Sequence, residues 1–313
     1  FIPASSAKSK APCDRAGGSR SLLAACSCSP SVPQSPGTSR LKQVGNNVER
    51  SRTVTPRIIG VIHLPALPGT PQGGSASDFA QVINLARRDA AAWAGGGADA
   101  VMVENFHDVP FHKGSVGPET IAAMTLAVAA VMEESGLPTG VNVLRNDVEA
   151  AAAIAAMTGA SFIRANVYVG AAVTDQGLIE GRADAVQALI KRLAAPIEVW
   201  ADVDVKHAAQ LAPRSLGELA EDAVKRGLAG ALVVTGAGTG HPTNLDDVRA
   251  VRSAMPRTPI FVGSGANPDT LPRLLEVADG AIVGSAAKQN ADPANPVDVN
   301  LVKALTQAAR NSR

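Results

Sequence analysis

The chain has 313 residues, 46% of them hydrophobic and only 3% aromatic, with a formal net charge of +1. That is ample apolar material for one large domain or two small ones, packed by Ala, Val, Leu and Ile rather than by rings. No apolar run reaches the roughly 18 residues a bilayer demands, so no transmembrane segment is expected.

The near-zero charge hides a split. Residues 1–57 carry nine Lys/Arg against Asp14 and Glu49, a balance of +7, while the rest carries 20 basic and 26 acidic residues, a balance of −6. The acidic part offers no basic stripe, which excludes nucleic acid as a partner. Cys13, Cys26 and Cys28 all lie in the leading segment. An odd trio makes neither a disulfide framework nor a good zinc site, and a reducing compartment fits.

Ser, Pro, Gly, Arg and Lys dominate residues 1–57, and no helical or strand period persists there. Such a composition buries too little apolar surface to offset chain entropy, so a disordered extension is expected. Being Ser- and Arg-rich and acid-poor, it reads either as a transit peptide or as upstream sequence preceding a true start, the first residue being Phe.

From Ile58 to Arg313 short β-branched runs alternate with Ala/Leu-rich helical patterns, the mark of parallel βαβ units. The runs are Ile58–Ile62, Ala100–Glu104, Gly140–Leu144, Phe162–Ala165, Ile197–Val203, Ala231–Thr235, Ile260–Gly263 and Gly280–Gly284. Helices are expected near 78–95, 118–135, 147–158, 181–194, 215–227, 244–254, 268–277 and 297–310. Asp78, Asn146 or Asp147, Ser215, Asn244 and Asn267 stand at their starts as caps. Eight units predict a closed (β/α)8 barrel over 58–313; an open doubly wound sheet, the rival, more often uses five or six strands.

The loops after the strands form the active face of such a barrel. All five histidines fall there: His63, His107, His112, His207 and His241. The same ends carry Glu104, Asn105, Asp108, Asn142, Arg145, Asn146, Arg164, Asn166, Asp202, Asp204 and Lys206. Arg164 and Asp202 interrupt apolar strands, and an inward charge needs a partner or a ligand. Either Arg164 forms a structural ion pair with Asp202 or Glu104, or it takes part in chemistry. Asp202 and Asp204 share a strand face by period two, with His207 following, so the three could shuttle protons. With Glu104 and His63 they could instead hold a divalent metal, although their spacing matches no metal motif; no other cofactor is indicated.

Glycine-rich loops follow the last three runs: Thr235-Gly236-Ala237-Gly238-Thr239-Gly240, Gly263-Ser264-Gly265-Ala266 and Gly284-Ser285-Ala286. Glycine lets backbone N–H groups approach an anion, and Thr239, Ser264 and Ser285 add hydroxyls. Barrels often bind phosphate after the seventh and eighth strands. A phosphate ester is therefore the expected ligand, with tight loop packing as the plainer alternative.

At these residues the sequence resembles the BtpA/SgcQ family. The resemblance rests on Ile59-Gly60-Val61-Ile62-His63-Leu64-Pro65, Glu104-Asn105-Phe106 through Phe111, and Gly140 through Asp147. Phe162-Ile163-Arg164-Ala165-Asn166, Asp202 through Ala208, Ile282 through Lys288 and Asn295-Pro296-Val297-Asp298 continue it. It implies a ribulose-phosphate-binding type of barrel. It also implies, in phototrophs, a peripheral thylakoid protein of photosystem I biogenesis or stability, and elsewhere an enzyme of sugar metabolism with no assigned reaction.

Two functions follow as expectations. In the first, Gly236, Thr239, Gly240, Gly263, Ser264, Gly265, Gly284 and Ser285 hold the phosphate of a small sugar-like molecule. Asp202, Asp204 and His207 then supply acid–base chemistry beside Glu104, and Arg164 and Lys206 stabilise an anion, with His63, Asn142, Arg145, Asn166 and His241 on the rim. In the second, the barrel serves the photosystem I assembly machinery. Localisation divides likewise: cytoplasmic in a bacterium, or chloroplast stroma and thylakoid surface if residues 1–57 are a transit peptide. A homo-oligomer is left open.

Overall fold

The computed structural model describes residues 55, 57–205, 207–236 and 243–312. Apart from Thr55 and Arg57, the leading segment with its three cysteines lies outside the described residues, as do Lys206, Thr239, Gly240 and His241.

Eleven strands form among the described residues. They are β1 (Ile58–His63), β2 (Ala100–Glu104), β3 (Thr139–Asn142), β4 (Phe162–Ala165), β5 (Ala171–Thr174), β6 (Gly177–Glu180), β7 (Glu198–Val203), β8 (Ala208–Gln210), β9 (Ala231–Val234), β10 (Ile260–Val262) and β11 (Gly280–Val283). Eight of them close a parallel barrel in chain order, β1-β2-β3-β4-β7-β9-β10-β11 and back to β1. The expected (β/α)8 barrel is the observed fold. Closure is direct, because β1 sets Ile59 beside Ala100 of β2 on one side and beside Ile282 of β11 on the other.

The helices are α1 (Phe79–Gly95), α2 (Pro118–Ser135), α3 (Val148–Thr158), α4 (Ala183–Leu193), α5 (Leu216–Glu221), α6 (Leu245–Ala254), α7 (Leu271–Leu274) and α8 (Val299–Arg310). Three caps act as the sequence suggests: Asp147 accepts from the Ala150 N–H, Asn244 from that of Asp246, and Ser215 forms a capping box with Glu218. Two helices differ from expectation. The fifth pattern passes from α5 into a π turn at Asp222–Arg226. The seventh contracts to one turn because Asn267 Oδ1 accepts from both Asp269 and Thr270 N–H groups, making an Asx turn where helix was predicted.

A second sheet was not anticipated. Strands β6, β5 and β8 form a small antiparallel sheet in the loops after β4 and β7, and its inner face packs Ala172 and Ile179 on Val167 and Val205.

Alternation along each barrel strand divides the core in two. One set of positions, including Ile58, Ile62, Val101, Val103, Ile163 and Leu232, packs outward against the helices. The other set, Ile59, Val61, Ala100, Met102, Phe162, Trp200, Ala231, Val233, Phe261 and Ile282, fills the barrel. There Trp200 is stacked between Phe162 and Phe261 with ring centroids 3.7 and 4.2 Å away. In a chain this poor in aromatics, that stack plugs the interior and gives the upper residues a floor.

Candidate active site

The inward periodicity continues past the apolar plug and changes character. Its next members, one per strand, are His63, Glu104, Asn142, Arg164, Asp202, Thr235, Gly263 and Gly284. Six of these eight present a polar side chain, and two present none. At Gly263 an added Cβ would lie 2.6 Å from Thr235 Cγ2 and 3.2 Å from Arg164 Nη2. At Gly284 it would lie 2.9 Å from His63 Cε1. Glycine is thus needed at both places because neighbouring side chains lean over the backbone.

A cavity of about 610 Å³ opens on this side. One wall is Gly263-Ser264-Gly265-Ala266-Asn267, and a second is Gly284-Ser285-Ala286 with Lys288, Gln289 and Asn290. Facing them are His63, Glu104, Phe106 and Arg164. The glycine-rich loops after β10 and β11 therefore border the same space as part of the charged ring.

Within the ring the groups hold one another. Asn142 Nδ2 donates to Glu104 Oε1 at 2.6 Å, which leaves Oε2 3.7 Å from His63 Nε2. The His63 ring lies 4.3 Å from Phe106, whose other neighbour is His107 at 5.2 Å. Across the barrel Arg164 donates from Nε to Asp202 Oδ1 at 2.8 Å and from Nη2 to Oδ2 at 3.0 Å. Asn166 Nδ2 adds a third donor to Asp202 Oδ2 at 3.0 Å. Burial opposes the charge on Arg164, but Asp202 and Glu104 more than offset it and hold the guanidinium pKa above its ordinary value. For Arg145 burial prevails and lowers the pKa, with Asp202 and Asp175 opposing and Arg164 adding to the shift.

The predicted residues separate accordingly. His63, Glu104, Arg164, Gly263, Ser264, Gly265, Gly284 and Ser285 line the cavity. Gly236 stands behind it, donating from its N–H to Ser264 Oγ at 2.8 Å. Asn142 backs Glu104, Asn166 backs Asp202, and Arg145 is buried near that pair. Asp202 itself has a fully buried side chain locked on Arg164, which is the ion pair the sequence offered as one of its alternatives. The shared face expected for Asp202 and Asp204 does not form. Asp204 falls beyond the strand with φ of 59°, is exposed, and accepts from Gln210 Nε2 at 3.1 Å. His207 is exposed too, with φ of 55°, and neither residue lines the cavity.

Among the described residues no group of three or more His, Cys, Asp and Glu converges as a metal would require. Asn105, Asp108, Asn146 and Asp147 serve the loops. Asp108 accepts from the Leu67 N–H and Asn105, Asn146 makes reciprocal bonds with Val167, and Asp147 accepts from the Val116 N–H. Among the cavity residues not singled out from the sequence are Phe106, Lys288, Gln289 and Asn290, of which Phe106 and Lys288 were quoted only within motifs.

The profile of the BtpA family matches residues 54–311. The chain belongs to the BtpA family. It is 41% identical over 251 residues to the photosystem I biogenesis protein BtpA of Synechocystis, covering 80% of this chain and 87% of that one. It is 44% identical over 256 residues to an uncharacterized protein of Thermococcus kodakarensis, covering 82% and 96%. Among solved structures it is similar to (S)-3-O-geranylgeranylglyceryl phosphate synthase from Thermoplasma acidophilum, determined with its substrate sn-glycerol-1-phosphate. The TM-score there is 0.50 at 17% identity, covering 82% of this chain and 93% of that one. At that identity the likeness shows the shared fold. No helix among the described residues of this BtpA-family chain is long and apolar enough to cross a membrane.

Proposed function

We propose that this BtpA-family barrel binds a small phosphorylated, sugar-like molecule and acts on it by acid–base chemistry. The observation that carries the reading is the single cavity bordered both by the Gly263–Asn267 and Gly284–Ala286 segments and by the His63–Glu104 pair. Small and hydroxyl-bearing residues at the ends of the last two strands suit a phosphate group. The imidazole and carboxylate, 3.7 Å apart, suit proton transfer to a group held between them, directly or through one water. Asn142 fixes the carboxylate by holding Oε1.

In this reading the chemistry moves from Asp202, Asp204 and His207 to His63 and Glu104. Asp202 acts by orienting Arg164, which lines the cavity and can stabilise negative charge developing on the ligand. Crystals soaked separately with inorganic phosphate and a panel of sugar phosphates test the site. Phosphate density between Ser264 and Ser285, with the sugar toward His63, is the expected result; binding elsewhere, or none, overturns the reading.

A second reading, service in photosystem I biogenesis as a peripheral protein, draws on the 41% identity to the Synechocystis protein of that name. Deleting the gene in a photosynthetic host and finding photosystem I core levels unchanged would end it. A retained ligand pocket is compatible with either reading.

A further inference from the structure

The cavity contains one cation for which neither the ion-pair network nor the proposed chemistry accounts. Lys288 follows the turn after β11, and its backbone is pinned by an antiparallel bridge to Val297 and by the Asp298 N–H donating to Ala287 O at 2.8 Å. The side chain lines the cavity, and the residue is only 3% exposed. Its Nζ donates to the Pro293 carbonyl at 2.6 Å, and among the described residues it makes no ion pair.

An ammonium has three N–H donors, and burying it on one neutral acceptor is costly unless an anion completes the site. The nearby acids, Asp89 on α1 and Asp292, attract it from a distance and neither forms an ion pair with it. Asp89 Oδ1 already accepts from Arg88 Nε at 3.1 Å and Nη2 at 2.9 Å, and from the Val297 N–H at 3.3 Å. The other charges of the cavity are settled, because Arg164 is matched by Asp202 and Glu104 faces His63 and Asn142.

We propose that Lys288 is the anion-binding residue of this cavity and that its ligand carries one phosphate monoester, not a diphosphate or two phosphates. The inference rests on the phosphate reading above and narrows it. A phosphate monoester carries between one and two negative charges near neutrality. Lys288 offsets one of them and the loop N–H and hydroxyl groups solvate the remainder, whereas a second phosphate would add negative charge that no further unpaired cation among the cavity's described residues meets. Lys288 would turn its remaining N–H groups to the phosphate oxygens while the Pro293 carbonyl keeps the chain in place.

The surroundings give the binding a pH signature. Burial lowers the Lys288 pKa below the usual lysine value, Arg88 reinforces the shift, and Asp89 and Asp292 oppose it. His107 shares the Pro293 carbonyl, and its own pKa is lowered, first by burial, with Lys288 contributing. A bound phosphate would raise the Lys288 pKa again. Binding therefore takes up protons at alkaline pH, and affinity falls as the pH rises through the pKa of the free lysine.

Isothermal titration of the full chain with inorganic phosphate, ribose 5-phosphate and fructose 1,6-bisphosphate tests this, for wild type and Lys288→Met. Wild type should bind the first two, and Lys288→Met should lose at least about tenfold in affinity for both with its circular dichroism spectrum unchanged. Equal affinity in the variant overturns the role of Lys288 and leaves the phosphate reading standing. No binding by wild type overturns both. A bisphosphate bound more than about tenfold tighter than ribose 5-phosphate overturns the monoester assignment. If Lys288→Met fails to fold, titrations of wild type at alkaline pH in buffers of different ionisation enthalpy decide: proton uptake supports the proposal, and its absence overturns it.

Discussion

Asp202 uses both carboxylate oxygens on the guanidinium of Arg164, with Nε–Oδ1 at 2.8 Å and Nη2–Oδ2 at 3.0 Å, inside the barrel just above the Trp200 plug. The Arg164 side chain is 4% exposed and that of Asp202 fully buried, so neither charge has water to fall back on. Removing one partner should cost more than removing both. Asp202→Asn and Arg164→Met should each destabilise by about 3–5 kcal/mol, while Asp202→Leu combined with Arg164→Met should cost less than the sum of the corresponding single variants. Urea denaturation of the single and double variants checks this, and strict additivity would count against the pair as a buried unit.

Gly284→Ala should act on His63. The new Cβ would stand 2.9 Å from His63 Cε1 and 3.7 Å from Val61 Cβ, so the ring must give way. The expected outcome is a folded protein whose His63 Nε2 has moved beyond the present 3.7 Å from Glu104 Oε2, as seen in a crystal structure of the variant. Phosphate affinity should drop at least about tenfold because the same methyl enters the cavity wall. Unchanged ring position and unchanged affinity would together refute the close packing assigned to this glycine.

The eight barrel strands were legible because strands buried on both faces read as continuous apolar runs, such as Ile58–Ile62 and Ala231–Val234. The small sheet was not. Ala171–Thr174 and Gly177–Glu180 are four residues each, carry Ala and Gly, and are stabilised by pairing with each other and with β8 across a gap no periodicity reveals. In the site, a charge interrupting an apolar strand was enough to mark Arg164 and Asp202 as inward, and Asp204 was joined to them by period two alone. That period misplaced Asp204 because the strand ends at Val203 and the backbone turns left-handed one residue later. Lys288 escaped notice for a different reason. It reaches the cavity only because the chain after β11 folds back through the Lys288–Val297 bridge, a contact between residues whose partnership the sequence does not announce.

The aromatic plug should carry a large share of barrel stability. Trp200 is 3% exposed, packs between Phe162 and Phe261, and sits two residues before Asp202 on the same strand. Trp200→Ala should cost about 3–5 kcal/mol, since the flanking rings are held by their own strands and cannot collapse into the space. Trp200→Phe should recover part of that loss. Thermal and urea unfolding of the two variants measure the difference, and an alanine variant as stable as wild type would show that the stack is incidental.

His107 gives the protein a stability slope on the acid side of neutrality. Burial lowers its pKa, Lys288 adds to the shift, and the Pro293 carbonyl with Asp108 and Asp292 opposes it without reversing it. The unfolded chain therefore takes up its proton at about pH 6.5 and the native chain only at lower pH. Between those two values the unfolded state binds more protons, so stability rises with pH across the window. Put the other way, stability present above about pH 6.5 is lost as the pH falls toward the native value. His107→Gln keeps a side-chain N–H for the Pro293 carbonyl but cannot titrate. Urea midpoints measured from about pH 7.5 down to about pH 5 should decline less steeply in the variant than in wild type, with the curves diverging only below about pH 6.5. Parallel curves would mean that His107 titrates alike in both states, and the burial assigned to it beside Phe106 and Pro293 would have to be given up.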